Sequence, residues 1–260
     1  VANINQFSIV TGASGGIGYE LCKVMASKKH NLILVARSEN KLKEISESLS
    51  REYGIEVKYY IYDLSDCNQR LDFIAKIRKN GYSVNILVNN AGFGDTGYFY
   101  EADWEKNERM IQLNITALTH LTREFLPDLI KSNKGRILNV ASIAGYLPGP
   151  LMSVYYASKS FVVSFSDALY SELKGTGVTV TTLSPGPVET NFFNEAGAAD
   201  AHITSIIRPA SASHVAAYAY RRMMKGRKRA IPGWTNNLMI LGIRFVPTEL
   251  TNSILKRLHS

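Results

Sequence analysis

Six short apolar runs constrain the fold of this chain. Residues 7–10, 31–36, 57–62, 84–89, 136–141 and 178–183 are rich in β-branched or aromatic side chains, and a longer stretch separates each run from the next. In those stretches, for example 41–53 and 65–79, charged residues mix with Leu and Ile at helical spacing. Strands that alternate with helices pair in parallel, with helices on both faces, so the pattern predicts an α/β fold built on a doubly wound parallel sheet. In such sheets a ligand lies outside the carboxyl ends of the strands, where the winding reverses. Chemistry is therefore expected directly after the runs. With 45% of its 260 residues hydrophobic, the chain can build a core for one domain over 1–260, and it carries no internal repeats.

The first run leads into Thr11-Gly12-Ala13-Ser14-Gly15-Gly16-Ile17-Gly18, and residues 19–28 then read as a helix. In a strand-turn-helix context such glycines let the backbone approach a pyrophosphate, and the helix N-terminus offers it unpaired N–H groups. A flexible loop would have the same composition. Farther on, Tyr155 and Lys159 lie four residues apart at the start of a helix-like stretch, so they share one face. An ammonium beside a phenol favours the phenolate and lowers its pKa from about 10, which equips the pair for proton exchange near neutrality. The same spacing also arises on surface helices with no chemistry. Ser142 follows the run 136–141, where a buried strand ends and presents a hydroxyl to a substrate oxygen.

Three further features complete an ordered set: Asn89-Asn90-Ala91-Gly92 after the fourth run, Asn114 in Leu113-Asn114-Ile115, and Pro185-Gly186 after the sixth. Together these residues resemble the short-chain dehydrogenase/reductase family over roughly residues 6–232. The resemblance implies a single Rossmann-like, NAD(P)-binding domain and an enzyme that reversibly reduces a ketone or aldehyde to an alcohol. Asn114, Ser142, Tyr155 and Lys159 match the family's catalytic tetrad. Tyr155 would be the general acid, with Ser142 beside it on the substrate oxygen; Lys159 would hold the nicotinamide ribose and lower the Tyr155 pKa, and Asn114 would anchor a proton-relaying water chain. Cofactor contacts carried over by position are Gly12, Ser14, Gly16, Ile17, Gly18, Asp63, Leu64, Asn90, Ala91, Gly92, Tyr155, Lys159, Pro185, Gly186, Val188 and Thr190. Some relatives of this fold bind cofactor as sensors or scaffolds without turnover, which gives a second reading; they usually lack the tetrad.

The residue ending the second run separates the two nicotinamide cofactors, because an acid there binds the ribose hydroxyl and repels a 2′-phosphate. Here it is Ala36, followed by Arg37 and, one turn on, Lys41, both suited to a phosphate. NADP(H) is thus favoured over NAD(H). One departure runs the other way: Gly15 stands where NADP-binding members often carry a basic residue.

The net charge of +8 and the basic run 221–229 come without any nucleic-acid motif, so the run reads as a solvated helix end and loop. Cys22 and Cys67 are far apart, and His30, His120, His202, His214 and His259 are scattered, so no metal site is expected. There is no apolar run of about 18 residues, and the start of the sequence lacks a signal-peptide pattern, which reads as a cytoplasmic protein. Residues 188–212, with Phe192 and Phe193, are expected to form a substrate flap, and about 233–260 a C-terminal extension. The apolar stretch 238–245 of that extension packs on the domain, on a partner subunit, or shallowly on a membrane, aided by Arg244, Lys256 and Arg257. The membrane case would suit a reductase of long-chain acyl, sphingoid or sterol ketones. By resemblance, a homodimer or homotetramer would pair through helices at about 104–130 and 154–174.

Overall fold

The computed structural model describes residues 6–192, 196–197 and 209–259, without the side chains of residues 244, 258 and 259. Phe193 and His202, with most of the expected flap, lie outside the described residues, as do residues 1–5. Six strands coincide with the apolar runs: β1 (Gln6–Thr11), β2 (Asn31–Ala36), β3 (Val57–Ile61), β4 (Ser83–Asn89), β5 (Arg136–Val140) and β6 (Thr179–Leu183). A seventh, β7 (Arg229–Ala230), is only two residues long and extends the edge beside β6. The order is β3-β2-β1-β4-β5-β6-β7, and every neighbouring pair is parallel. The winding reverses between β1 and β4, so the crevice outside those two strands is the ligand position of this topology.

The helices are α1 (Gly16–Ser27), α2 (Glu39–Tyr53), α3 (Cys67–Lys79), α4 (Trp104–Ile111), α5 (Leu118–Lys131), α6 (Ser153–Glu172), α7 (Ala212–Met224), α8 (Trp234–Gly242) and α9 (Thr248–His259). Because alternate strand residues face opposite sides, the runs feed two cores. Val10, Leu32 and Leu34 pack under Leu21 and Met25 of α1 and Val215 and Met223 of α7. Phe7, Ile9, Ile33 and Val35 pack under Phe73 of α3, Phe125 of α5 and Leu169 of α6. Burial on both faces is why β1 and β2 are mostly apolar rather than alternating.

Three details depart from the sequence pattern. The helix expected over 104–130 is interrupted by a π-helical segment, Gln112–Ala117, which contains Asn114; such segments frequently occur at functional sites. The basic run is the end of α7 together with β7, where Arg222 donates to the Arg229 carbonyl and Lys228 and Arg229 pair with Asp167. The base of the flap is closed by a parallel bridge between Val188 and Ala210, with Glu189 N–H donating to the Ala210 carbonyl at 3.0 Å. Among the described residues no helix is long and apolar enough to cross a membrane.

Candidate active site

The ends of β1 and β4 are joined through one hydroxyl. Thr11 Oγ1 donates to the Val88 carbonyl at 3.2 Å and accepts the N–H groups of Asn90 and Ala91, each at 3.0 Å. The Asn90 amide in turn donates to the carbonyls of Thr11 and Gly12. These contacts leave no space for a side chain at two glycines of the turn. A Cβ on Gly12 would lie 2.8 Å from Asn90 Nδ2, and one on Gly18 would lie 2.2 Å from the Gly12 carbonyl oxygen. Gly12 and Gly16 also hold φ of 65° and 53°, which side chains disfavour. Gly18 therefore seats α1 against the turn; it is not among the residues that line the cavity outside it.

A cavity of about 680 Å³ runs outside these strand ends. Every other residue carried over as a cofactor contact lines it: Gly12, Ser14, Gly16, Ile17, Arg37, Lys41, Asp63, Leu64, Asn90, Ala91, Gly92, Tyr155, Lys159, Pro185, Gly186, Val188 and Thr190. Arg37 and Lys41 are exposed cations at the β2 end, beside Ala36. Burial pushes the Asp63 carboxyl up, but hydrogen bonds from Ser65 and the fields of Arg37 and Arg109 outweigh it and hold the group below its usual range.

Ser142, at the exit of β5, lines the same cavity as Tyr155 and Lys159. Its hydroxyl accepts the Ala144 N–H at 3.1 Å, which fixes it as the cap of the turn at Ile143–Tyr146. Lys159 is buried, donates to the Val140 carbonyl at 3.0 Å and lies 5.7 Å from the centroid of the Tyr155 ring. Asn114 does not line the cavity. Its amide donates to the Phe93 carbonyl and to Ser158 Oγ, each at 3.0 Å, and its oxygen accepts the Phe93 N–H. Gly92 lies between Asn114 and Lys159, since a Cβ there would fall 2.8 Å from Asn114 Oδ1 and 3.3 Å from Lys159 Nζ. The four residues are thus one contiguous group, three on the cavity wall and one behind it.

The electrostatics of that group differ from expectation. Burial pushes the Tyr155 phenol up to about 12, with Ser142 drawing it back, and burial pulls the Lys159 ammonium down to about 8. Desolvation of both groups stands in place of the expected lowering of the phenol by the lysine, because each charged form loses water on entering the wall.

Beyond Tyr155 the cavity turns apolar, with Phe93, Leu147, Met152, Phe192, Met239 and Leu255 on its walls. Gly94 makes room here, because a Cβ on it would meet Phe192 at 2.9 Å and Tyr155 at 3.3 Å. Met239 and Leu255 come from α8 and α9, so the C-terminal segment packs on its own domain and forms a wall of the cavity. Of these, Phe192 falls in the expected flap and Met239 in the apolar stretch 238–245; no motif marked Phe93, Leu147, Met152 or Leu255 in the sequence.

The family model described as short chain dehydrogenase matches residues 6–201. A very-long-chain 3-oxoacyl-CoA reductase from Anas platyrhynchos is 35% identical over 73% of this chain, which spans 62% of that relative's length. The reductase of the same name from Rattus norvegicus is 30% identical, over 98% of this chain and 83% of its own. Among solved structures, a short-chain dehydrogenase from Sphingobium yanoikuyae in complex with NADPH superposes with a TM-score of 0.83 at 30% identity, covering 92% of this chain and 94% of that one. A short-chain dehydrogenase/reductase from Burkholderia phymatum in complex with NAD gives a TM-score of 0.82 at 25% identity, covering 93% and 95%.

Proposed function

Since the chain belongs to the short chain dehydrogenase family, we propose that it is an NADPH-dependent reductase acting on the ketone of a 3-oxoacyl thioester. The observation that carries this reading is the placement of Ser142, Tyr155 and Lys159 on one cavity wall that also includes the glycine turn, Arg37 and Lys41. The residues fit a dinucleotide: the turn is closed to side chains at Gly12 and Gly18 by steric contact, two exposed cations stand at the β2 end, and no acid occupies position 36. Ser14, Gly16 and Ile17 would hold the pyrophosphate at the α1 N-terminus. Asp63 and Leu64 would border the adenine, Arg37 and Lys41 the 2′-phosphate, and Pro185, Gly186, Val188 and Thr190 the nicotinamide. Of the two neighbours described above, one holds NADPH and the other NAD, so the preference for NADPH rests on Ala36, Arg37 and Lys41.

When bound, the nicotinamide supplies the hydride. Ser142 and Tyr155 offer hydroxyl donors to the carbonyl oxygen, and Tyr155 passes its proton to that oxygen as the alkoxide develops. With its pKa pushed up to about 12, the phenol is held protonated at neutral pH and is ready for the reductive direction. Lys159 orients the ribose and stabilises the phenolate left behind, and Asn114 fixes the loop at Phe93 that carries Gly92 and Gly94 past the reacting group. The 3-oxoacyl substrate is supported by the names of the relatives and by the apolar wall beyond Tyr155, which suits an acyl chain.

We place the enzyme in the cytoplasm as a homodimer or homotetramer, with Ile130 of α5 and Phe161 of α6 available to a partner subunit. The exposed Trp234, Leu238, Leu241 and Phe245 favour a second reading, peripheral contact with a membrane that supplies the substrate; sedimentation with liposomes tests it. The function itself is tested by titrating the protein with NADPH and NADH, then following oxidation of the tighter cofactor with 3-oxoacyl-CoA of graded chain length. NADPH-dependent turnover supports the reading. Binding without turnover of any carbonyl would instead favour a cofactor sensor.

A further inference from the structure

Among the described residues two cations are buried, Lys159 at 5% exposure and Arg70 at 3%. Lys159 serves the reaction; Arg70 lies outside the cavity wall. A buried charge destabilises a fold unless it is paired and hydrogen-bonded, and no ion pair among the described residues includes Arg70. Its place in α3 does not compensate, because Arg70 sits in the first turn of that helix, whose N-terminal end is itself positive.

What Arg70 holds lies at the adenine end of the cavity. Its Nη1 donates to the Leu64 carbonyl at 2.8 Å, and its Nε donates to Nδ1 of His120, on α5, at 3.1 Å. Leu64 lines the cavity while Arg70 does not, so the guanidinium grips the backbone of the wall from behind. No other hydrogen bond reaches that carbonyl among the described residues. The bond to His120 fixes the plane of the guanidinium and requires Nδ1 without a proton. On its far side His120 Nε2 lies 4.0 Å from Glu124, which pairs with Arg78 at 2.6 Å. Asp63, next to Leu64, is tied by its N–H to Gln69 of α3, and by its carboxylate to Ser65 and to Arg109 of α4.

We propose that Arg70 is a positioning residue for the adenine half of the cofactor, acting through the Leu64 carbonyl and held in place by His120. This rests on the dinucleotide reading above and deepens it. Adenine is a flat, rigid ring, and its fit depends on where the wall places Asp63 and Leu64. Strand β3 ends at Ile61 and α3 begins at Cys67, so Leu64 lies in a connection with neither ladder nor helix to fix it. Arg70 supplies the missing constraint with a charge-assisted hydrogen bond from a rigid fork. One anchor would leave the guanidinium free to swing, whereas anchors on two elements set its plane. By the same reading the nicotinamide half lies at Pro185, Gly186, Val188 and Thr190, which Arg70 does not serve.

The test measures the two halves of the cofactor separately, through the dissociation constants of adenosine 2′,5′-bisphosphate and of reduced nicotinamide mononucleotide. Arg70→Met keeps a long unbranched side chain and loses the charge. In that variant the bisphosphate and NADPH should bind about tenfold more weakly, the loss of one charge-assisted hydrogen bond, and the mononucleotide should stay within about twofold. Equal weakening of both halves would mean a general loosening of the fold and overturns the proposal, as does unchanged binding of the bisphosphate. His120→Leu and His120→Asn test the anchor with Arg70 intact, and they decide the matter if Arg70→Met does not fold. Asn can present an acceptor in the place of Nδ1 and Leu cannot, so bisphosphate binding should weaken about threefold in His120→Leu and recover in His120→Asn. Equal binding by these two variants overturns the proposal. Failure of the unaltered protein to bind NADPH would instead refute the dinucleotide reading itself.

Discussion

At the turn after β1 a single added methyl group collides with backbone, 2.2 Å from the Gly12 carbonyl oxygen in the case of Gly18. At α8 and α9, by contrast, Trp234, Leu238, Leu241, Leu250 and Ile254 stand exposed, and only single residues such as Ile240 and Leu255 are buried. Both regions border the same cavity or support its wall. The first leaves no freedom of residue type at Gly12 and Gly18, where an added Cβ would meet the Asn90 side chain and the backbone; the second asks only for apolar bulk on an inward face. A ligand part common to many enzymes can be gripped by the first kind of structure, whereas a variable part needs the second. The contrast predicts that changes at the turn and tetrad act through cofactor and chemistry, and changes in the C-terminal wall through substrate alone.

The strongest way to break that division is Tyr155→Phe. The ring and its contact with Phe192, centroids 5.3 Å apart, survive, and only the proton donor is lost. Turnover should fall about a thousandfold, within the range for loss of a positioned acid, while the NADPH dissociation constant measured by fluorescence titration moves less than about twofold. Full activity would refute the assignment of Tyr155. Next in size is Gly18→Ala. The overlap with the Gly12 carbonyl must be relieved by moving α1 away from the turn, which costs about 1–3 kcal/mol. NADPH binding should weaken about ten- to a hundredfold, with a lower melting temperature.

The tetrad also supplies a pH test. Lys159 titrates at about 8 in the folded protein, below its ordinary 10.5, because it is buried. Below pH 8 the ammonium is present to orient ribose and stabilise the phenolate; as pH rises through about 8 it is lost. Reductive kcat/KM should therefore decline about tenfold per pH unit above that point. The same shift raises fold stability between about pH 8 and 10.5, where the unfolded chain binds the proton and the folded one does not. A flat rate profile to pH 10 would show that the ammonium contributes little.

Arg37→Ala acts on a smaller scale and on the cofactor alone. Losing one charge-assisted contact to a 2′-phosphate should raise the NADPH dissociation constant about tenfold and leave NADH within about twofold. Equal effects on both would remove the basis for NADPH preference.

These expectations also mark what was legible in the chain. Positions 7–10, 31–36 and 136–141 were readable as strands because burial on both faces demands mostly apolar runs, and Gly12 and Gly16 because their positive φ disfavours side chains. Tyr155 and Lys159 were readable through their spacing, Ser142 through its place after a strand-like run and Asn114 through the family resemblance, and the structure brings the four together. What escaped is physical in the same sense. The two-residue β7 is too short to carry a pattern, and the π-helical segment at Gln112–Ala117 changes hydrogen bonding without changing helical periodicity. The upward shift of Tyr155 depends on a burial that Tyr155 and Lys159, four apart, do not reveal. Leu255 resembles any inward-facing residue on an amphipathic helix; its place on the cavity wall is set by where α9 docks.

Leu255→Val probes that docking with the smallest change. It removes one methylene from the apolar wall, about 0.8 kcal/mol when the group is fully in contact with a ligand, or about fourfold in affinity. Val keeps the helix face apolar, so α9 should remain seated against Met110, Leu147 and Met152. The KM for a long-chain 3-oxoacyl substrate should rise about threefold to fourfold, and that for a four-carbon 3-oxoacyl substrate should not, because its chain ends before the wall. The NADPH dissociation constant should stay fixed. An equal change for both chain lengths would mean that α9 acts on the cavity as a whole, and the division between a rigid cofactor turn and an adaptable substrate wall would have to be redrawn.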